Sequence, residues 1–164
     1  MSGPTQFNHF KAKDHEGKNA LMLTGDVEWG RVGNGFMHEA LVDDRWAGTM
    51  NFFQLWINLP STVKMCEPSY QEVCAKDIPS TKVDGVHVRV VAGESLGVTS
   101  PITTRTPTTF FHFKMDAGAK LAQKIASGWN SFAYIFEGKG YFGSSKKELS
   151  AYYTATFTEE AGDE

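Results

Sequence analysis

Residues 86–91 read Val86-His87-Val88-Arg89-Val90-Val91. In an extended chain Val86, Val88 and Val90 share one face and His87, Arg89 and Val91 the other, because successive side chains of a strand alternate across the sheet. A second run, 52–59, alternates in the same way: Phe53, Leu55, Ile57 and Leu59 on one face, Phe52, Gln54, Trp56 and Asn58 on the other. Outward from these, short runs rich in Phe, Tyr, Val, Ile and Thr recur at 19–23, 108–115, 131–136, 140–142 and 151–157. Turn-forming groups separate them: Thr24-Gly25-Asp26, Val32-Gly33-Asn34-Gly35, Asp116-Ala117-Gly118, and Glu137-Gly138-Lys139-Gly140. The last reads as a hairpin loop between Phe136 and Tyr141. Residues 119–126 (AKLAQKIA) have room for about two helical turns, which is marginal for an isolated helix. Strands at short spacing with so little helix predict an all-β barrel or sandwich.

The 164 residues are 41% apolar and 21% charged, an ordinary globular balance. Sixteen Lys and Arg against nineteen Asp and Glu leave a net charge of −3, which argues against direct nucleic-acid binding. No apolar run approaches the ~20 residues of a membrane helix. The opening Met1-Ser2-Gly3-Pro4-Thr5-Gln6 has neither the basic cluster nor the apolar core of a secretory signal. The expected compartment is the cytoplasm, the nucleus or both. Cys66 and Cys74 read as reduced thiols, since their spacing matches no zinc motif.

Residues 62–82 break the pattern, with prolines at 68 and 79 and little alternation. They divide the chain into an incomplete first portion (1–65), a linker (66–82) and an incomplete second portion (83–164). Each portion, about 65 and about 80 residues long, is short for burying an independent β core.

The linker and its surroundings closely resemble the pirin family, a group of bicupin proteins. The run Gln54-Leu55-Trp56-Ile57-Asn58-Leu59 is similar to the family's QLW(V/I)NL strand, and Lys64-Met65-Cys66-Glu67-Pro68-Ser69-Tyr70-Gln71 to its KM-x-EP-x-YQ linker. Ala92-Gly93-Glu94-Ser95-Leu96-Gly97, Thr106-Pro107-Thr108, and Gly128-Trp129-Asn130-Ser131-Phe132 continue the match. Upstream, Gly25-Asp26-Val27-Glu28-Trp29 and Gly33-Asn34-Gly35-Phe36-Met37-His38 resemble the family's GD(V/L)QWM-TAGRGI-x-H run. The resemblance implies an all-β bicupin fold, two cupin-type portions joined by a short linker. Family members are longer at both ends, so the chain reads as the central part of such a protein: a shortened product, a partial gene reading or a reduced paralogue.

Pirin-like proteins hold a mononuclear metal, usually iron, with three His and one Glu in the first cupin. Two of those His belong to an H-x-H motif that does not occur in this sequence. The other two ligands form an H-x-E pair on a later strand. Here His38 falls on the family's ligand position, Ala40 stands two residues further on, and Glu39 is one step early. His38 and Glu39 are thus the candidate metal ligands, and Glu39 also the candidate catalytic carboxylate. On a regular strand they point to opposite faces, so both reach one ion only across a bulge. A site rebuilt from His9, His15, His38 and Glu39 is the alternative. His87 and His112 fall in the second cupin, which in the family carries no metal. The alternation at Phe111-His112-Phe113 turns His112 to solvent or an interface.

Two functions follow from the resemblance. One is quercetin 2,3-dioxygenase-type chemistry on a flavonol-type small molecule, weakened by the short ligand set. The other is a non-enzymatic regulator that contacts a transcription factor or another protein. Loss of strands at either end exposes Phe53, Leu55 and Ile57 and predicts self-association.

Overall fold

Alternating valines need a ladder on both sides before their faces become an inside and an outside. The computed structural model describes residues 10–14, 19–42 and 51–157. It divides the chain into two compact units, Met1–Ala119 and Lys120–Glu164.

In the first unit, β1 (Phe10–Asp14) lies between β2 (Asn19–Met22) and, past β3 (Val27–Arg31), β4 (His38–Val42), all antiparallel. The strand β3 pairs instead with β5 (Ser69–Val73). A short 3-10 turn, Ala75–Asp77, leads into β6 (Ser80–Val83) and β7 (Val86–Ala92). The two-residue strands β8 (Glu94–Ser95) and β9 (Val98–Thr99) pair with each other, and β10 (Phe110–Met115) returns along β7. The stretch 66–82 therefore carries β5, the 3-10 turn and most of β6.

The strand β7 is central in the order β10-β7-β6, and its valines form the core. Val88 and Val90 are 0% exposed, Val86 is 2% exposed, and Ile78, Ala92 and Ile102 are buried with them. Val91 was expected on the face of His87 and Arg89 but is buried too. The reason is a bulge: Phe111 pairs with Val90 and Phe110 with Ala92, so Val91 is the extra residue and the alternation resets. Ser100 secures the bulge. Its Oγ donates to the Val91 carbonyl (2.6 Å) and accepts from the Ile102 N–H (3.0 Å). The Val91 carbonyl is a buried group that the bulge leaves outside the ladder, and the Ile102 N–H a buried group of the following loop.

The second unit is one long hairpin. Strands β11 (Ser131–Tyr134), β12 (Lys139–Phe142), β13 (Lys147–Ser150) and β14 (Thr154–Phe157) nest, β12 against β13 and β11 against β14. The break between the two ladders is bridged by Tyr152 N–H to Ile135 O, Ile135 N–H to Tyr153 O, and Ala151 N–H to Gly138 O.

Three local expectations are corrected. Residues 52–59 form no strand, since no described segment pairs with them and a strand has no hydrogen bonds of its own. Residues 119–126 form no helix; the run is too short to nucleate one between Gly118 and Gly128. The hairpin turn lies at 143–146, not 137–140, because Gly143 and Lys146 take the positive φ values of 66° and 49° that reverse the chain there. The all-β class itself is observed: among the described residues the only helical element is the 3-10 turn.

Candidate functional site

His38 and Glu39 open β4, the strand expected to carry the ligands. Against β1 the register runs His38 to Asp14, Glu39 to Lys13, Ala40 to Ala12, Leu41 to Lys11 and Val42 to Phe10. The ladder shifts nowhere, so 38 and 39 occupy alternate faces of an unbulged strand. Glu39 is exposed. His9 and His15 lie outside the described residues. Among the described residues no three His, Cys, Asp or Glu side chains gather where they could hold a metal ion. A catalytic metal usually takes about three protein ligands. The described donors therefore do not fit the three-histidine, one-glutamate set that the resemblance implies.

What the structure does bring together is the frame that aims the start of β4. The turn after β3 is docked on the segment before β5. Asn34 N–H donates to the Cys66 carbonyl (2.8 Å), and Arg31 Nε to the Glu67 carbonyl (3.0 Å). Gly33 has a φ of +56°, and a Cβ there would sit 1.9 Å from the Cys66 carbonyl oxygen. No other residue fits so close an approach. Phe36 meets the Tyr70 ring edge-on at 4.8 Å. The two runs of the sequence with the clearest family resemblance, 25–38 and 64–71, are thus one packed substructure.

Three side chains extend this frame. The Asp26 carboxylate accepts from Leu23 N–H (2.8 Å) and from Ala75 N–H (2.7 Å), and Arg89 Nη2 donates to the Gly25 carbonyl (2.7 Å). Gln71 grips the chain at Thr103, donating to its carbonyl (2.7 Å) and accepting from its N–H (2.9 Å) and hydroxyl (3.1 Å). In the sequence Gly25-Asp26 reads as a turn and as part of the family resemblance, and none of the three clamps is foreseen. The signal was there: an aspartate after a turn glycine, and an arginine on the polar face of a buried strand.

The outer face of the β6-β7-β10 sheet is basic. Lys82, His87 and Lys114 fall in one cross-strand row, and Ser80, Arg89 and His112 in the next. Lys82 is paired to Asp116 at 2.9 Å. Burial first, then the charges of Arg89, His87 and Lys114, hold the half-buried His112 imidazole below its ordinary value of 6.5. In the second unit the Tyr141 hydroxyl bonds to the exposed Glu148 carboxylate, which that bond and then Lys139 keep below the usual range. The same bond raises Tyr141.

No protein-family model matches the chain. Curated relatives do. Pirin-1 of Arabidopsis thaliana is 42% identical over 88% of this chain, the pirin-like protein of Solanum lycopersicum 45% over 83%, and pirin of Homo sapiens 39% over 90%. Among solved structures, GK1651 from Geobacillus kaustophilus superposes with a TM-score of 0.81 at 30% identity, covering 94% of this chain and 62% of that one. A quercetin 2,3-dioxygenase from Acinetobacter baumannii superposes with a TM-score of 0.78 at 29% identity, covering 94% of this chain and 55% of that one. The chain spans about half the length of the curated relatives it matches, 50%, 46% and 51% of the three above. Along that span its sequence and its all-β fold agree with theirs, and the chain resembles the pirin family of cupin-type proteins.

Proposed function

We propose that this chain is a pirin-like cupin of the quercetin 2,3-dioxygenase type, acting on a flavonol-type small molecule, with turnover weakened by its donor set. The observation that carries the reading is the superposition on a quercetin 2,3-dioxygenase over 94% of the chain. The weakening rests on the site itself. His38 and Glu39 are consecutive positions of an unbulged strand, and the described residues add no third donor beside them. If iron binds, His38 and Glu39 are the positions assigned to it and Glu39 the carboxylate assigned to catalysis.

The test is bound iron per purified chain, together with the loss of quercetin absorbance under air. The expected result is iron well below one per chain and slow turnover that His38→Ala reduces at least tenfold, the lower end of the cost of disturbing a metal site. Absence of both iron and turnover, with a specific protein partner recovered, would replace this reading by a regulatory one.

A further inference from the structure

The sequence holds six asparagines, and Asn34 alone is followed by glycine. Asparagine is among the chemically labile residues, and the pair Asn34-Gly35 stands in the turn after β3, inside the frame that aims the start of β4. Both residues are exposed, and among the described residues nothing hydrogen-bonds to the Asn34 carboxamide. Gly35 has a φ of +113°, and a Cβ there would meet nothing within 4 Å. Asn58 is exposed as well, but Leu59 follows it and its carboxamide oxygen accepts from Lys64 Nζ. Two backbone bonds hold the turn: Gly35 N–H to the Val32 carbonyl (2.9 Å) and Asn34 N–H to the Cys66 carbonyl (2.8 Å). Val32 and Gly35 are both exposed, and exposed backbone bonds of this kind open locally.

We propose that Asn34-Gly35 is a site of spontaneous covalent modification, where the folded chain deamidates to aspartate or isoaspartate at a rate set by the docking of the turn. When the bond to Val32 opens, the Gly35 amide nitrogen gives up its proton to solvent base and attacks Cγ of Asn34. A carbon–nitrogen bond forms there. The side-chain nitrogen takes up a proton from water and leaves as ammonia, and a cyclic succinimide joins the two residues. Water then cleaves one imide bond. Cleavage at Cγ gives aspartate. Cleavage at the Asn34 main-chain carbonyl carbon gives isoaspartate, whose main chain runs through Cβ and is one atom longer. Glycine favours the ring because no Cβ at 35 crowds the attacking nitrogen. The turn has no slack to absorb the longer chain, since even a Cβ on Gly33 would sit 1.9 Å from the Cys66 carbonyl oxygen. The added atom falls four residues before His38. The inference holds whether or not the chain takes up iron.

The test is peptide mass spectrometry after incubating the full chain in mildly alkaline buffer, folded and, in parallel, unfolded in guanidinium chloride. A glutamate-specific protease releases residues 29–39, which hold Asn34 and no other asparagine. The expected result in the folded chain is a growing fraction of this peptide with an acid in place of an amide, while the peptides holding Asn58 and Asn130 lag behind it. Asn34→Gln, whose longer side chain closes a less favourable ring, loses the signal. Arg31→Ala releases the turn from the Glu67 carbonyl and should speed conversion about fivefold, the typical weight of one hydrogen bond in holding the turn closed. A folded chain that keeps Asn34 intact while the unfolded chain converts it overturns the proposal. Conversion of Asn58 or Asn130 in the folded chain as fast as Asn34 overturns it too. An Arg31→Ala rate equal to that of wild type overturns the control by docking.

Discussion

The strand β7 and the run 51–59 differ in what lies alongside them. β7 is held by β6 on one side and β10 on the other, so Val88 and Val90 are 0% exposed. The run 51–59 has larger apolar side chains at the same spacing, yet Leu55 remains 41% and Trp56 79% exposed. Hydrophobicity alone does not bury a strand. Its backbone N–H and C=O groups must be satisfied in the same act, and only a neighbouring ladder does that for an extended chain. Where the ladder is complete, alternation becomes inside and outside. Where it is missing, the same alternation remains an open surface.

The sharpest way to break this contrast is to delete methyl groups at both places. Val88→Ala should lower stability by about 2–3 kcal/mol, through lost transfer energy and the cavity left behind. Ile57→Ala should change it by less than about 0.5 kcal/mol, as for most surface positions. Urea unfolding midpoints of the two variants check this, and equal losses would erase the distinction. Next in size is the bulge that lets β7 bury Val91. Ser100→Ala strands the Val91 carbonyl and the Ile102 N–H, and should cost about 1–2 kcal/mol in the same measurement.

A smaller effect marks the polar side of β7. His112 is held below its ordinary value of 6.5, so the folded state prefers the neutral imidazole. Above that value both folded and unfolded chains are neutral there and the residue adds no pH dependence. As the pH falls below it, the unfolded chain takes up the proton more readily and stability declines. A shallow loss of stability on acidification below about 6.5, flattened in His112→Gln, is the expected outcome, read from unfolding midpoints across the range. Smallest of all is the second unit's exposed pair. Glu148→Gln should leave the unfolding midpoint where it is, because Lys139 and Glu148 form an exposed ion pair 3.3 Å apart.

Much of the fold was legible from residues alone. The alternation at 86–91, the Phe-rich run ending at Met115, and the turn at Thr24-Gly25-Asp26 each correspond to β7, β10 and the bend after β2. The strands β3 and β5 were not legible. Val27-Glu28-Trp29-Gly30-Arg31 and Ser69-Tyr70-Gln71-Glu72-Val73 carry no clean apolar face, and each is a strand because the other lies beside it. Of the candidate site the structure shows the strand alone: His38 and Glu39 open β4. For the clamps through Asp26, Arg89 and Gln71 the sequence shows the side chains but not their partners, which lie 49, 64 and 32 positions away.

By itself the sequence determined composition, period and turn chemistry, and with them the all-β class, while the motifs at 54–59 and 64–71 carried the family resemblance. These are local properties, set by side-chain spacing and backbone preference within a few residues. Tertiary structure alone decided which alternating run became core, where the bulge turned Val91 inward, and which turn closed the long hairpin. Each of those depends on hydrogen-bond partners supplied from elsewhere in the chain, and a run of residues cannot specify its neighbour.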